Sequence, residues 1–537
     1  MKKLNILNMY FNSVNNFGSN ILFKTPNLIN GKNTWTYESI NKQTNKFKYL
    51  FSEYNLKHND RILYLGNNSP NWFSTNMACY QLGGIFVPIY KSQHIDVINH
   101  IVKETKPKII IGSANDTNKI NPTLIKNIKT NFIDPNMINF EIIPELESIE
   151  IRTQSKTISE LDPIIILYTS GTTGLAKGVC LNNVNLCSNI VSVDKKIGSH
   201  YVNYTDKYFN FLPWSHIYGL NCELYYGMSK GSSIFINDEI SNIPINMKYS
   251  NPTIICSVPK LLYSIYDKID SSKILKTLIS NSFTIEPFNK FFGDKIIGNL
   301  IKKQIFGYNL RFINSGGASI SPNILNFYSK LGIDIYQGYG LSETSPLISL
   351  NYPNNNKIGS VGKILDCNDV KIVNGEIFVK GSNVFSGYYL NQEESLKSFD
   401  NDSNYFKTGD EGYLDSDGYL YITGRTKELY KLSNGKYINP VFIENILMES
   451  KHIHQILIYG DSRPYNIAIV VTNSDYKTIL SEIKKLSPKL KKYEIPKKIL
   501  IVPPFTFEEK LLTAKMSLVR NNITKKYSNQ INELFSK

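Results

Sequence analysis

Hydrophobic residues in the first 112 positions recur at two different spacings. Apolar residues lie at helical spacing from Tyr37 to Tyr54 and from Trp72 to Leu82. Short apolar runs lie between and after these stretches: RILYL from Arg61, IFVPIY from Ile85 and KIIIG from Lys108. Strands that alternate with helices in this way predict a parallel α/β sheet with both faces covered.

The pattern weakens from 113 to 160 and changes character near 424. Residues 113–160 are mostly polar, and we expect them to form a surface excursion. Between 405 and 440, glycines separate short tyrosine-rich strands, which indicates a small β unit followed by a connector. The apolar residues after it predict helix, strands, helix and a basic C-terminal helix in a separate compact module. We therefore predict two domains, residues 1–424 and 425–537.

Composition restricts the class of protein. A chain of 537 residues with 42% hydrophobic and 12% aromatic residues can fill more than one core and is not a disordered chain. Its sequence has no apolar run near the ~20 residues that span a bilayer, and its N-terminus has no apolar signal segment. The six cysteines form no CxxC pair, so we expect reduced, buried thiols in a cytoplasmic protein.

The net charge of +15 raises the question of nucleic-acid binding. However, only six of the 60 basic residues are arginine, and the lysines are scattered along the whole chain. The one dense basic stretch, Lys484 to Lys498, is interrupted by Pro488 and Pro496. We therefore expect no nucleic-acid partner. The charge favours phosphorylated ligands and is compatible with peripheral contact to an acidic membrane surface.

The sharpest local feature is the string ILYTSGTTGLAKGV at residues 166–179. An apolar strand leads into a run of hydroxyl residues and glycines. Glycines let backbone N–H groups close around a phosphate, hydroxyls donate to its oxygens, and a lysine offsets its charge. A Walker A loop would need Ser or Thr directly after the lysine, where this chain has Gly178. The predicted phosphate ligands are Thr169, Ser170, Gly171, Thr172, Thr173, Gly174 and Lys177.

From Tyr168 to Gly178 the chain resembles the phosphate loop of the adenylate-forming superfamily, which comprises acyl-CoA synthetases, luciferases and the adenylation domains of peptide synthetases. The loop departs from the family pattern at Ala176, where proline is usual. Downstream, residues 182–186 read NNVNL where the family usually has Thr-His-Arg-Asn-Leu. The resemblance implies an α/β fold: a large N-terminal domain of stacked α/β subdomains plus a β unit, which binds AMP and the acyl group, and a small mobile α+β C-terminal lid.

The segment FLPWSHIYG resembles the family's aromatic segment at the acyl pocket. The resemblance implies that Trp214, His216 and Tyr218 line this pocket. Alone, a histidine between aromatic residues would more often be a core residue. In this context we expect His216 to hydrogen-bond or orient the substrate carboxylate.

The segments INSGGASIS, YQGYGLSETSP and KTGDEGYLDSDGYLYITGR resemble the family's adenosine-binding motifs. Tyr339 offers a flat face for adenine, and we expect Gly338 and Gly340 to leave room for it. A carboxylate can accept from both ribose hydroxyls, and a guanidinium can reach the same sugar. The remaining implied adenosine ligands are Gly317, Ala318, Gln337, Asp410 and Arg425.

The same motifs imply contacts to the phosphates and to a metal ion. Ser342 stands where the family usually has threonine and keeps a hydroxyl for the α-phosphate. Glu343 is the expected Mg²⁺ ligand, because a hard carboxylate beside phosphate oxygens suits this ion. Thr169 is the expected second metal ligand.

The C-terminal region departs from the family pattern. Lys427 falls at the position of the family's hinge residue, and Lys431 is a further basic residue expected to face the cleft. Long-chain synthetases usually read Leu-Thr-Pro-Thr-x-Lys-x-x-Arg, but this chain reads LLTAKMSLVR. Aligning Arg520 puts Ser517 at the catalytic lysine's place. Residues i and i−2 of an extended segment face the same side, so we expect Lys515 to serve instead.

The implied reaction has two steps. A carboxylate attacks the α-phosphate of ATP to give acyl-AMP and pyrophosphate, and coenzyme A then attacks acyl-AMP to give a thioester and AMP. The lid is expected to swing about Lys427 between the steps, because the lysine of the first step occupies the space that the thiol needs. Lys177, Glu343, Lys515 and His216 are the expected catalytic residues.

Several motifs favour the medium- and long-chain fatty acyl-CoA synthetases among the subfamilies, including PTIICSVPKLL at residues 252–262. The expected partners are a fatty acid, ATP and coenzyme A, with Mg²⁺ as cofactor and a monomer or homodimer as assembly. Three alternatives stay open: an acyl-AMP ligase that loads a carrier protein, a luciferase-like oxygenase, and a catalytically inactive acyl- or nucleotide-binding homologue.

Overall fold

The structure of the protein is a computed structural model. It describes residues 5–29, 31–128, 130–138, 159–169, 176–271, 298–425, 428–450, 452–506, 509–512 and 518–536. Its helices include a π-helix at Tyr218–Tyr225 and a helical segment over 298–306. The α-helices are α1 Ile6–Phe17, α2 Tyr37–Glu53, α3 Pro70–Gln81, α4 Ile95–Thr105, α5 Ala114–Thr117, α6 Pro122–Ile128, α7 Asn183–Ile197, α8 Tyr226–Ser229, α9 Ile243–Ser250, α10 Pro259–Ser271, α11 Pro322–Lys330, α12 Gln392–Ser398, α13 Pro440–Leu447, α14 Tyr476–Leu486, α15 Arg520–Lys526 and α16 Ser528–Ser536.

The strands form five separate sheets in this part of the chain. They are β1 Ile21–Ile29, β2 Lys32–Thr36, β3 Arg61–Leu65, β4 Ile85–Ile89, β5 Ile109–Ile111, β6 Asn131–Ile133, β7 Pro163–Thr169, β8 Lys177–Asn182, β9 Lys207–Asn210, β10 Ser233–Ile236, β11 Ile254–Ser257, β12 Phe312–Ser315, β13 Asp334–Gly340, β14 Leu347–Leu350, β15 Lys363–Ile364, β16 Asn368–Val373, β17 Glu376–Gly381, β18 Phe406–Leu414, β19 Leu420–Arg425, β20 Tyr430–Lys431, β21 Tyr437–Ile438, β22 Gln455–Tyr459, β23 Ile467–Val471 and β24 Lys498–Val502.

Local side chains define where the helices begin. Thr36 accepts a hydrogen bond from the backbone of Ser39 at the start of α2, and Ser69 caps α3 with Pro70 in its first turn. Asn182 and Asn185 form a reciprocal capping box at the start of α7. Each cap satisfies backbone N–H groups that have no partner inside the helix. These caps fix where each helix begins after the preceding strand, in the alternation predicted from the sequence.

The first sheet has six strands in the order β6-β5-β3-β4-β7-β8. Its pairs are parallel except for the antiparallel hairpin of β7 and β8. The surface excursion expected for 113–160 is wrong for Asn131–Ile133, which pairs with β5 as the parallel edge strand β6. Its three residues, NFI, lack the continuous apolar run that marks β5 in the sequence.

The second sheet has nine strands in the order β15-β14-β13-β12-β11-β9-β10-β1-β2. Its two faces are buried in different cores, as the neighbours Tyr208 and Phe209 of β9 illustrate. Tyr208 packs with α7 and the π-helix, whereas Phe209 packs with α9, α10 and α11 on the opposite face. Successive residues of a strand point to opposite faces, so each strand contributes to both layers. The expected α/β class is confirmed.

The predicted β unit is an antiparallel sheet in the order β16-β17-β18-β19. Beyond it, β22, β23 and β24 form a three-stranded sheet with its own buried clusters against α13, α14 and α15. The boundary between 424 and 425 stays a prediction: β19 runs through Arg425, and Asn439 of the following module donates to the Thr423 carbonyl at 2.6 Å. Within the described ranges, no helix is both long and apolar enough to cross a membrane.

Candidate active site

The phosphate-loop string begins and ends on the β7–β8 hairpin. Thr169 and Lys177 face each other as a cross-strand pair of this hairpin. The two predicted ligands at the ends of the loop are therefore neighbours. Ser170, Gly171, Thr172, Thr173 and Gly174 lie outside the described residues.

Lys177 lies in a cluster of two carboxylates and a tyrosine. Its Nζ pairs with Glu394 and lies 5.4 Å from the centre of the Tyr388 ring. The Tyr388 hydroxyl in turn donates to Glu343 Oε1 at 2.9 Å. Burial and the neighbouring Glu343 raise the pKa of Tyr388, so it stays a neutral donor. The structure thus brings Lys177 near Glu343, the predicted metal ligand, with Tyr388 in contact with both.

Sequence reasoning missed Tyr388 and Glu394. Asn391 caps α12 by accepting from the backbone of Glu394, and a capping residue followed by acidic residues is a recognisable helix start. That signal predicts the helix but not the partner, because Lys177 is 217 positions away in the sequence. The contact depends on how 387–389 lie along β8: Tyr389 donates to the Gly178 carbonyl at 2.7 Å, and Cys180 donates to the Gly387 carbonyl at 3.2 Å.

Strand β13 carries the predicted adenine segment and leads into Glu343. The expected reason for its glycines needs correction, because their missing side chains make room for the chain itself. A Cβ on Gly340 would lie 1.7 Å from the Pro346 carbonyl oxygen, and one on Gly338 would lie 2.8 Å from Leu347. Strand β14 therefore packs directly on this segment. Gln337 is buried, and its backbone carbonyl accepts a hydrogen bond from the Asn351 backbone N–H at 2.8 Å.

Tyr339, Asp410 and Arg425 form the second polar cluster. The Tyr339 hydroxyl donates to Asp410 Oδ2 at 2.8 Å, and Arg425 Nε donates to Asp410 Oδ1 at 2.9 Å. Asp410 and Arg425 are also cross-strand partners in β18 and β19. Burial raises the pKa of Asp410, while the Arg425 charge opposes that rise. Each carboxylate oxygen keeps a second lone pair, so this buried carboxylate can still accept from a sugar hydroxyl.

A cleft of about 970 Å³, open solvent included, lies beside these clusters. Alternate residues of two neighbouring strands form its floor: Phe312 and Asn314 of β12, and Tyr336, Gly338 and Gly340 of β13. Residues of α7 and of the π-helix cover it. The residues that line its floor change along the strands, from glycines and Ser342 at the carboxyl ends to aromatic rings at the amino ends.

Tyr218, Gly317 and Ser342, three of the predicted site residues, lie on this cleft, while their predicted roles stay predictions. Tyr218 donates to the Asn314 carbonyl at 3.1 Å, and its ring would lie 3.3 Å from a Cβ on Gly316. Gly316 also lines the cleft and was missed by the sequence analysis. Gly317 has φ +82°, a conformation that favours glycine. Ala318 is exposed and is not among the residues that line the cleft.

The structure does not bring Trp214 or His216 to this cleft, counting the described residues that line it. Trp214 is fully buried, with its ring 5.5 Å from that of Trp72, and its indole N–H donates to Glu223 at 3.2 Å. The expected pocket-lining role of Trp214 is corrected to a core role, because its aromatic neighbours and Glu223 hold it. His216 is half-buried two residues before the π-helix, and its backbone carbonyl accepts from the Leu220 backbone N–H.

Glu223 is a buried carboxylate on the π-helix. One oxygen accepts from Trp214 and from the Asn210 side chain. The other oxygen is buried and has no hydrogen-bond partner among the described residues. Burial raises the pKa of Glu223 to about 8, although the two hydrogen bonds oppose the rise. π-helices are rare and often occur at functional sites, but the apolar spacing of the sequence gave no sign of this one.

Among the described residues, no cluster of three or more His, Cys, Asp or Glu could hold a metal ion alone. Mg²⁺ is commonly bound by one or two carboxylates together with substrate phosphates. Glu343 fits this mode because it lies next to the cleft residue Ser342 and because Tyr388 contacts both Glu343 and Lys177.

The predicted lid residues are only partly described. Lys431 belongs to β20, and its Nζ lies 5.3 Å from the Tyr437 ring. Lys427, Lys515 and Ser517 lie outside the described residues. Arg520, the residue used to align the C-terminal motif, donates to Glu444 at 2.9 Å and to Glu428 at 3.2 Å.

The sequence was compared with curated proteins. It is 27% identical to long-chain-fatty-acid–CoA ligase 5 of Rattus norvegicus, over 87% of this chain and 79% of that protein. It is 28% identical to the peroxisomal long chain acyl-CoA synthetase 7 of Arabidopsis thaliana, over 87% of this chain and 77% of that protein.

The fold was compared with solved structures. ATP-bound MatB from Rhodopseudomonas palustris superposes with a TM-score of 0.79 at 19% identity, over 98% of this chain and 99% of that one. O-succinylbenzoate coenzyme A synthetase (MenE) from Bacillus subtilis, in complex with ATP and magnesium ion, gives 0.74 at 21% identity, over 96% and 98%. At these identities the likeness concerns the fold.

The family models agree with the order of the motifs. The AMP-binding enzyme model matches residues 20–389, and the model of the AMP-binding enzyme C-terminal domain matches residues 428–537. The first match alone covers well over half of the chain and includes the phosphate-loop string, the cleft and the Glu343 segment. The chain therefore belongs to the AMP-binding enzyme family.

Proposed function

We propose that the protein is an acid–thiol ligase that activates a fatty acid with ATP and transfers it to coenzyme A. The observation that carries this proposal is the graded cleft. Its glycine-rich end adjoins Glu343 and the Tyr339–Asp410 pair, whereas its other end is lined by aromatic and aliphatic side chains. An amphipathic acid can lie along such a cleft with its carboxylate towards the nucleotide. The relatives named as fatty-acid ligases agree with this chemistry.

In the first step, a carboxylate oxygen of the acid forms a bond to the α-phosphorus of ATP. The bond from that phosphorus to the bridging oxygen breaks, and its electron pair leaves with pyrophosphate. Phosphoryl transfer depends mainly on alignment and on neutralisation of charge. Lys177 would neutralise the phosphates, while Asp410 and Arg425 would hold the ribose. Mg²⁺ held by Glu343 and the phosphates would add positive charge at the same oxygens.

In the second step, the coenzyme A sulfur attacks the acyl carbonyl, the bond to AMP breaks, and the thiol proton leaves to solvent. We propose that residues 425–537 act as a lid about Lys427, with Lys515 supplying charge in the first step. A contact of Arg520 supports a connection between the hinge and the lysine segment. Arg520 follows the Lys515 segment in the sequence and donates to Glu428, the neighbour of Lys427. A lid that changes orientation between steps would let one cleft serve both.

The floor of the cleft suggests the length of the acid. From Gly340 to Tyr336, and from Gly316 to Phe312, the strands rise about 13 Å at ~3.3 Å per residue. A fully extended chain gains about 1.2 Å per bond, because three backbone bonds span ~3.6 Å. An acyl chain of roughly ten carbons would therefore reach the aromatic rings. We therefore propose a medium-chain acid, at the short end of the medium- to long-chain range, as the substrate.

Release of AMP with ATP, coenzyme A and a panel of acids from two to twenty carbons tests the proposal. We expect the largest kcat/KM near ten carbons and little turnover of acetate. Acid-dependent pyrophosphate exchange without coenzyme A consumption would instead favour a ligase that loads a carrier protein. Absence of exchange with every acid would favour an inactive binding protein.

A further inference from the structure

We propose that Glu394 is the resident counter-ion of Lys177 and competes with the phosphates of ATP and pyrophosphate for its ammonium group. The inference rests on the proposed function, since it assigns a task to the phosphate-loop lysine. It makes Glu394 a positioning residue that sets nucleotide affinity. Neither the phosphate-loop pattern nor the adenosine motifs include this residue.

Glu394 is held in place by its own helix. Its backbone N–H donates to the capping Asn391 at 3.2 Å, and its carbonyl accepts from the Ser398 hydroxyl at 2.7 Å. The Ser395 hydroxyl donates to the Asn391 carbonyl and receives a hydrogen bond from the backbone of Tyr388 at 2.8 Å. The first turn of α12 is thereby tied to the segment before it.

That segment is attached to the strand that carries Lys177. Val179 and Tyr388 form an antiparallel bridge, next to the hydrogen bonds from Tyr389 to Gly178 and from Cys180 to Gly387. Lys177 and Glu394 therefore belong to two elements that are fixed against each other. Their ion pair is set by the fold, and does not depend on two freely moving surface side chains meeting.

The charges around Lys177 allow the phosphates to replace Glu394 as its partner. Glu394 and Glu343 both carry negative charge within this cluster, so incoming phosphates meet repulsion until Lys177 turns to them. Only 18% of the Lys177 side chain is exposed, which limits screening by water. A second cation is ready for the released carboxylate: Lys397 Nζ lies 3.7 Å from Glu394 Oε1. Glu394 can thus give up Lys177 without being left unpaired.

The same helix provides a matched control. Glu393 precedes Glu394 and pairs with Lys397 at 2.6 Å, but 79% of its side chain is exposed. Replacing either residue with glutamine removes one negative charge from the first turn of α12. Only the Glu394 change removes the charge that contacts Lys177.

Calorimetric titration of the full-length protein with Mg–ATP and with Mg–pyrophosphate, in the absence of any acid, tests the inference. Glu394→Gln should lower both dissociation constants by about three- to tenfold, the range for a partly exposed ion pair. Glu393→Gln should change them far less, since it acts on Lys177 only indirectly through Lys397. In a Lys177→Ala background, Glu394→Gln should have a much smaller effect, because only the repulsion between Glu394 and the phosphates is then removed and the double-mutant cycle isolates the pair.

Unchanged or weaker binding by Glu394→Gln, or equal tightening in the Lys177→Ala background, would overturn the inference. Glu394→Asp keeps the charge on a shorter side chain and should give dissociation constants between those of the wild type and the glutamine variant. It provides a second test if Glu394→Gln folds poorly. In AMP release, Glu394→Gln should lower KM for ATP without raising kcat. If the wild type activates no acid, the proposed function fails, while the ATP titration still decides the role of Glu394.

Discussion

At the scale of single residues, the site is organised around Tyr388. Its ring lies beside the Lys177 ammonium and its hydroxyl holds Glu343. Glu343 can therefore present a carboxylate to a metal ion in a fixed orientation. A positioned charge contributes to phosphoryl transfer only where the transition state needs it.

Glu343→Gln tests this arrangement. The change removes the negative charge but keeps an oxygen that can accept from Tyr388, so the fold should be preserved. We expect the rate of acid-dependent pyrophosphate exchange to fall by more than tenfold, which corresponds to over ~1.4 kcal/mol of lost transition-state stabilisation. Tyr388→Phe keeps the charge and should cost less. A Glu343→Gln variant with more than a tenth of the activity would show that Glu343 is not the metal ligand.

Residue types with a chemical signature were predictable, and their contacts were not. Lys177, Tyr339 and Asp410 stand in short motifs whose composition fits phosphate or ribose. Glu394 is one of many acidic residues after a capping asparagine, and only tertiary packing joins it to Lys177. Trp214 was singled out by its motif, but its contacts were not predicted, since an aromatic motif near a pocket does not say which ring faces the ligand.

At the scale of elements, strand alternation builds the cleft and the π-helix covers it. The helices α2 and α3 were recognisable from their helical spacing, and the strands β3, β4 and β5 from continuous apolar runs. The edge strand β6 has only two apolar residues and lacks such a run. The π-helix has the same apolar residues as an α-helix, so its wider hydrogen-bond pattern could not be read from the sequence.

The π-helix should make stability depend on pH. The pKa of Glu223 is about 8 in the folded protein, against an ordinary value of 4.5. Between these values the folded state retains a proton that the unfolded state releases. The stabilisation of the folded state by this proton is fully present below pH ~4.5. It decreases by up to about 1.4 kcal/mol per pH unit as the pH rises, and it is lost once the pH has passed ~8.

Urea unfolding at a series of pH values from 5.5 to 8.5 measures this contribution. Glu223→Gln carries no titrating proton and should show a flatter dependence than the wild type. Parallel dependences in the two proteins would mean that Glu223 does not titrate in this window.

The aromatic end of the cleft should limit the acyl chain. Phe312 lines the cleft at the start of β12, so Phe312→Val should move the preferred acid towards longer chains by a few carbons. Phe209→Val removes the same volume from a fully buried site on the opposite face of the sheet. It should cost similar stability, about 1–3 kcal/mol, without moving the preference. A preference that both variants leave unmoved would place the end of the acyl site elsewhere.

At the scale of the whole molecule, Arg520 joins the ends of the C-terminal module. It contacts Glu428, at the start of this module, and the buried Glu444 of α13. Burial raises the pKa of Glu444, and the Arg520 charge opposes that rise. The residue that aligns the lysine motif therefore also completes the module's interior.

Arg520→Met should destabilise this module strongly, because it leaves the Glu444 charge buried without a cation beside it. We expect a loss of about 3 kcal/mol in urea unfolding at pH 8 and a smaller loss at pH 5.5, because burial raises the pKa of Glu444 and a lower pH favours its neutral form. Arg463→Met is the control, since Arg463 makes its hydrogen bond to exposed Asn532 at the surface. A loss below 1 kcal/mol at both pH values would remove this structural role from Arg520.

The central claim is that a carboxylate attacks the α-phosphorus of ATP in the cleft. Decanoic acid labelled with the heavy isotope of oxygen in its carboxyl group tests it directly, with ATP, Mg²⁺ and coenzyme A, and mass analysis of the products. The attacking oxygen stays on phosphorus when the thiol cleaves the acyl–oxygen bond. We therefore predict label in AMP and none in pyrophosphate. Label in inorganic phosphate, or thioester formation with unlabelled AMP, would contradict the account.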